Sequence, residues 1–300
     1  MFGRRKQSRS PGQADPDLPL DVDDAAHVRS LLAQALAEAG REVTIEGDRV
    51  LGADGVEFGL WNVAAMCARE PRRHWPEVVQ AHVAGLVSDL GPEELTEEDV
   101  RTQLHERIQG TDQLPDPSWF PSATVLSDVL VSIPVLDTPT QVATVAEDRY
   151  DAVGGLDRWR DHGRAATRRL LDTEQLEHAE VGAGSGIHLV MGDSFFTASL
   201  ALHVPELLAR FGVSDHGRGT VVAVPFRHQV AFHPVRGPES VGAIQQLFGL
   251  ALRNFAESPG GVTPHLHLVR DGSWTRITML DDAEAPGIVA GPELVAALEG

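Results

Sequence analysis

Lysine is nearly missing from this chain. Among 25 basic side chains in 300 residues only Lys6 is a lysine, and arginine carries the remaining positive charge. That bias fits GC-rich coding better than a functional choice of guanidinium. Positive charge of any kind is scarce, since 44 acidic residues leave a formal net charge of -19. A chain this acidic repels phosphate backbones and anionic lipid surfaces, so neither nucleic acid nor membrane is an expected partner. Cysteine is rarer still: the lone Cys67 excludes an internal disulfide framework and any multi-cysteine metal site. Long apolar runs are lacking as well, and no stretch approaches the roughly 18 apolar residues of a membrane span. The basic start, Met1 to Ser10, runs into Pro11, Asp15, Pro16, Asp17 and Pro19 with no apolar segment between, so no signal peptide is expected. These absences point to a cytoplasmic protein.

What is present is an ordinary globular composition, 42% hydrophobic and 23% charged, with length enough for one large domain or two ordinary ones. Residues 1–20 mix Arg, Ser, Pro, Gly and Asp and predict a disordered tail. From Asp21 a helix is expected, with Val22, Ala25, Ala26, Leu32, Ala35, Leu36 and Ala39 near three-four spacing and Gly40 as its stop. Glu42 to Trp61 reads as short strands turning at Gly47-Asp48. Asn62 is placed to cap a short helix through Ala68, and Val78 to Leu90 forms another. Thr96 with Asp99 resembles a capping box opening a helix to about Ile108. This makes 21–108 an N-terminal α+β region. Residues 109–121, rich in Gly, Asp and Pro, predict a linker in which Trp119 and Phe120 are candidate anchors, and 122–300 a C-terminal α+β region.

The C-terminal region carries a weak internal repeat. Val129–Pro134 is followed by Gln141-Val142-Ala143 and a helix ending near Asp172; Val221–Pro225 is followed by Gln229-Val230-Ala231 and a helix ending near Glu257. Each copy reads strand, turn, strand, helix, with a proline at the close of its first strand. Glu42–Ala68 has the same order, as does the hairpin His178–Met191 with the apolar helix Phe195–Phe211. A last hairpin, His265–Val269 with Trp274–Met279, turns at Asp271-Gly272. Repeated hairpin-plus-helix units predict an α+β fold of mostly antiparallel sheet with helices packed on one face.

Four motifs invite chemistry. Gly192-Asp193-Ser194, after the apolar run Ile187–Met191, is similar to the nucleophile block of GDS-type esterases and lipases. A serine at a strand-to-helix turn becomes a nucleophile when a histidine held by an acid activates it. The block is late in the chain, however, and no acid stands three residues before His265 or His267; a helix cap at Asp193 or Ser194 is the simpler reading. Gly182-Ala183-Gly184-Ser185-Gly186 has the flexibility of a phosphate loop, but no lysine follows and a strand rather than a helix comes next, which favours a hairpin turn. His265 and His267 share a sheet face, the geometry of two-histidine metal sites, with His233 or Asp271 as conceivable third ligands; solvent-facing alternation with Leu266 and Leu268 is the plainer account. Arg160, Arg164 and Arg168 recur every four residues and line one helix face, while Trp159, Gly163, Ala166 and Leu170 line an apolar one. Such a ridge suits an acidic partner or a phosphate-bearing ligand, unless Asp157, Asp161 and Asp172 already neutralise it.

The run Thr220–Pro225, then Phe226-Arg227-His228, the helix Ile244–Phe255 and the turn Val269–Asp271 resemble the YtpQ-like bacterial family of unknown function. The strand Val129–Pro134 and the block Phe195–Leu202 stand where that family would place them, and His228 departs from its pattern, where an acid is expected after the arginine. The resemblance implies a fold and carries over no catalytic residue. The sequence therefore reads as a non-enzymatic cytoplasmic binding or regulatory protein that recognises a protein partner through Arg160, Arg164 and Arg168, with no catalytic residue, cofactor or metal. Two alternatives stand beside it: a serine hydrolase centred on Ser194, and a protein binding a metal or a phosphate-bearing ligand.

Overall fold

The computed structural model describes residues 13–41, 43–47, 49–52, 57–88, 95–114, 120–137, 142–145, 147–182, 184–258, 260–281 and 284–300. It divides into two compact units, Met1–Leu90 and Gly91–Gly300. In the first, Asp21 accepts the Asp24 N–H at 2.8 Å and caps α1 (Val22–Glu38), whose residues Ala25, Val28, Leu32, Ala35 and Leu36 are buried along one face. A three-stranded antiparallel meander comes next: β1 (Val43–Glu46), β2 (Arg49–Gly52) and β3 (Glu57–Gly59). Then come α2 (Trp61–Arg69) and α3 (Trp75–Ser88). Leu60, not Asn62, is the N-cap of α2, and it offers no side-chain cap. α3 starts before Val78 because Pro76 is tolerated in a first turn. Val28, Leu32, Leu36, Val50, Leu60, Val63, Trp75 and Val79 form this unit's core.

The disordered tail expected over 1–20 is corrected from residue 13 onward; residues 1–12 lie outside the described residues. Asp15 receives Arg29 at 2.9 and 3.0 Å and the N–H groups of Asp17 and Leu18, each at 3.0 Å. The Arg29 bonds lower the Asp15 carboxyl below its usual range against the opposing effect of burial. Leu18, only 5% exposed, enters the core and Leu20 packs beside it. Averaged composition hides two leucines placed where a helix can cover them.

In the second unit, α4 (Glu97–Gln103) opens with the expected capping box: the Thr96 hydroxyl accepts Asp99 N–H at 3.2 Å and Asp99 accepts Thr96 N–H at 3.1 Å. The helix ends at Gln103, short of Ile108, because the next residues are β4 (Leu104–Gly110). β4 pairs with β6 (Leu130–Asp137), which also pairs with β5 (Thr124–Val125) and β7 (Val142–Thr144). Pro134 falls between the stretches of β6 that β5 and β7 cover, where a missing N–H costs no ladder bond. α5 (Arg160–Thr173) runs along β4: the Thr167 hydroxyl accepts Glu106 N–H at 2.9 Å, and Ser199 accepts Ile108 N–H at 2.9 Å. The linker expected over 109–121 is corrected too. Gln109 and Gly110 belong to β4, Gln113 donates to the Val262 carbonyl at 3.3 Å, and Phe120 is 4% exposed beside Ile133 and Phe196. Residues 115–119, with Trp119, lie outside the described residues.

The larger sheet has the order β13-β12-β10-β11-β9-β8, all antiparallel. Its strands are β8 (Glu177–Glu180), β9 (His188–Met191), β10 (Thr220–Ala223), β11 (Gln229–Pro234), β12 (Leu266–Arg270) and β13 (Ser273–Arg276). Asp271 and Gly272, at φ 51 and 77°, make the expected turn between β12 and β13. A short pair, β14 (Thr278–Asp281) with β15 (Glu284–Ile288), and the helix α8 (Pro292–Glu299) close the chain. The fold is α+β with antiparallel sheets, as expected, and β6–β7 then α5, like β10–β11 then α7 (Val241–Glu257), are the anticipated hairpin-plus-helix units.

Helices do not gather on one face, however. Val221, Ala223, Ala231, Leu266 and Leu268 pack against Ile244 and Leu247 of α7 and Leu294 of α8. Val190, Val222, Val230 and Phe232 pack against Leu200 and against Leu207 and Leu208 of α6 (Val204–Arg210), with Ile108 and Leu130 of the smaller sheet. The unbroken run Val221-Val222-Ala223-Val224 is the sequence mark of a strand buried on both faces.

Candidate functional site

α5 is built as the sequence spacing demands. Its apolar side is anchored by Trp159, Ala166 and Leu171, all buried, and by Gly163, whose hydrogen faces the Leu104 side chain where a Cβ would lie 3.1 Å away. The opposite side presents the ridge. Arg160 is half-buried, 3.7 Å from Asp157, and reaches the Thr124 hydroxyl of β5 at 3.5 Å; Arg164 reaches the same hydroxyl at 3.2 Å. Arg164 and Arg168 are exposed, and among the described residues neither forms an ion pair. Asp161 and Asp172 do not neutralise the ridge; only Asp157 approaches it.

Ser194 lies three residues past the end of β9 and begins a turn. Its hydroxyl accepts Phe196 N–H at 3.1 Å, and its carbonyl accepts the Thr197 N–H and hydroxyl at 3.2 and 2.9 Å. The chain then continues as a 3-10 segment, Ala198–His203, leading into α6, so the cap serves a tight turn rather than the first turn of a long α-helix. Gly192 is there for packing: a Cβ would meet the Thr197 hydroxyl at 2.7 Å and Leu176 at 2.9 Å. The neighbouring imidazole, His228, donates from Nδ1 to the Gly192 carbonyl at 3.2 Å and accepts from Arg227 Nε at 3.2 Å. Both ring nitrogens are thereby engaged, and burial, with the Arg227 charge next, lowers its pKa. In the glycine loop, Gly186 N–H is taken by the Glu180 carboxylate at 2.7 Å and Ile187 N–H by the Ser185 hydroxyl at 3.0 Å. A loop whose amides are satisfied internally closes a hairpin and has few left for a phosphate.

His265 and His267 do share a face, but that face is covered rather than solvent-facing. His267 is 0% exposed; its Nε2 lies 3.0 Å from the Ser127 hydroxyl, and its Nδ1 has no partner. Burial, followed by the neighbouring His265, pushes its pKa down to about 3. His265 bonds the Thr278 hydroxyl at 3.1 Å. Neither conceived third ligand joins them. On β10, Val221 opposes His233 and Val222 opposes His267, so the two imidazoles lie on opposite faces of the sheet. Asp271 sits in the turn with its side chain 94% exposed. Among the described residues no group of three or more His, Cys, Asp or Glu is placed to hold a metal.

Beside this pair Arg276 donates to Asp128 at 2.9 and 2.6 Å; burial raises the Asp128 carboxyl, but the Arg276 bonds and charge, with smaller contributions from the Asp128 backbone and His267, lower it overall. Ser127–His267 and Asp128–Arg276 tie β12 and β13 to the segment before β6, and no acid orients His267 toward Ser127. Sequence reasoning missed both contacts, since no local pattern links residues so far apart in the chain. A cleft of about 390 Å³ opens between the β12–β13 hairpin and α8. Its charged groups, Arg270, Asp271 and Glu293, are of mixed sign, and neither the ridge nor Ser194 lines it.

No family model, curated protein or solved structure matches the chain.

Proposed function

We propose that this chain is a non-enzymatic, cytoplasmic binding protein that recognises an acidic protein partner through the ridge on α5. One observation carries the reading: Arg164 and Arg168 expose guanidinium groups with no acidic partner among the described residues, in a chain of net charge -19. Such a local reversal of sign steers oppositely charged partners, and the planar guanidinium fork suits carboxylates. The engagement of Ser194 and His228 in structural bonds supports binding over hydrolysis. The YtpQ-like resemblance belongs to the same reading, at the level of fold. Among the described residues no helix is long and apolar enough to cross a membrane.

The test is affinity capture from the native cell with the wild type and with Arg160→Glu, Arg164→Glu and Arg168→Glu combined. A partner held by the wild type, released by salt and lost in the triple variant at unchanged melting temperature is the expected outcome. Retention of every captured partner by the triple variant at low salt rejects the ridge.

A further inference from the structure

Away from the ridge, the unit Gly91–Gly300 holds two arginines, Arg107 and Arg227, that form no ion pair among the described residues. Arg107 stands opposite Ile133 in the β4–β6 pair and shares its sheet face with His105 and Gln109. His105 stacks on Phe196 with ring centroids 4.6 Å apart. Gln109 donates to the Gln113 carbonyl at 2.7 Å, and Gln113 donates in turn to the Val262 carbonyl. These contacts hold β4 against two segments, the turn at Phe196 and residues 260–262. The backbone of Arg227 bridges the same two. Its N–H donates to the Gly260 carbonyl at 3.0 Å, and its carbonyl accepts from Ala198 N–H at 3.0 Å. The two half-buried arginines therefore face the same pair of segments.

The Arg227 side chain is held in place. Its guanidinium carbon lies 4.4 Å from the centre of the Phe195 ring, and Nε donates to His228. Gly260 makes room for it: at φ +73° a side chain would be strained, and a Cβ would lie 2.8 Å from Arg227 Cδ and Nε. Only Nε is used by this arrangement. The terminal nitrogens of Arg227, and the whole guanidinium of Arg107, make no hydrogen bond or ion pair among the described residues. Burial lowers the pKa of both groups, and for Arg227 burial, then Arg107, bring it to about 10. Like charges drawn together and partly out of water oppose folding unless an anion sits between them.

We propose that Arg107 and Arg227 form a binding site for a phosphate monoester. A carboxylate has two oxygens and one charge, which a single guanidinium fork can match, whereas a phosphate monoester has three terminal oxygens and up to two charges to share between two forks. Phe195, 39% exposed beside the Arg227 guanidinium, offers an apolar surface to the organic part of the ester. The site is separate from the α5 ridge, and each stands or falls by itself.

Calorimetry and thermal melting of the full chain with inorganic phosphate, phenyl phosphate and benzoate test this. Both phosphates should bind saturably and raise the melting temperature, phenyl phosphate more tightly than phosphate and benzoate weakest. Arg107→Gln and Arg227→Gln should each weaken phenyl phosphate by roughly tenfold or more, while the triple ridge variant binds it as the wild type does. Without ligand, Arg107→Gln should melt no lower than the wild type, because it removes a repulsion. Should either Gln variant fail to fold, Arg107→Lys, which keeps the charge and loses the fork, should still show weakened binding. No saturable binding of either phosphate, an unchanged affinity in the folded Arg107 variant, or tighter binding of benzoate than of phenyl phosphate overturns the proposal.

Discussion

His267 is wholly buried, bonded through Nε2 to Ser127 and unpartnered at Nδ1, so a second proton on its ring would enter the core without an acceptor. In an unfolded chain an imidazole titrates near 6.5; in the fold, burial and then His265 bring His267 to about 3. Between those values the unfolded chain binds more protons than the folded one. Stability is therefore fully present above about pH 6.5 and declines as pH falls toward 3, by about 1.4 kcal/mol per pH unit for this group. His178, His188, His203, His228, His233 and His265 are lowered as well, with burial the leading cause in each, and act in the same direction. Denaturant unfolding at pH 7.5 and pH 5 measures the slope, and His267→Leu should reduce the stability lost over that interval by about 2 kcal/mol. Identical slopes for the two proteins would mean that the buried ring accepts its second proton in the fold. The histidine pair was visible in the sequence as an alternation. Its burial was not, because the segment covering it arrives from residues 126–129.

At the scale of elements, β4 shows how an edge strand is finished without another strand. Its outward N–H groups at Glu106 and Ile108 are taken by hydroxyls of Thr167 on α5 and Ser199 in the 3-10 segment, both buried. An uncovered edge leaves such groups open to pairing with other chains. Thr167→Val keeps the shape and removes the acceptor, leaving a buried amide unsatisfied. It should cost about 1–3 kcal/mol in urea unfolding. A loss near zero would show that the amide finds another partner. The same strand explains the error at the end of α4. Val100, Leu104 and Ile108 are four apart and fit a helix face, while Leu104, Glu106 and Ile108 alternate as a strand does. All four are buried, and the pairing with β6 decides between the two periods. Turn chemistry needed no such arbitration: Asp271-Gly272 and the Thr96–Asp99 box are complete within four residues of chain, and both formed as expected.

At the scale of the molecule, every hydrophobic cluster among the described residues lies within a single unit. One is confined to Met1–Leu90, and the others lie in Gly91–Gly300. A fragment starting at Gly91 thus retains all of its own cores and should unfold cooperatively, with near-ultraviolet dichroism from the buried Trp159 and half-buried Trp274. A fragment lacking that signal, or one that melts without a transition, would contradict the division. The sequence alone determined the α+β class, the hairpins with their turns, the amphipathic helices and the spacing of the ridge. Those depend on residues a few positions apart, where periodicity and capping act locally. Tertiary structure alone decided that helices cover both faces of the larger sheet, that residues 13–20 dock, that Ser194 and the glycine loop spend their groups on internal bonds, and that Arg107 and Arg227 face the same two segments. Each of these joins segments distant in the chain, and a local pattern specifies which side chains seek burial or charge but not which distant segment supplies it.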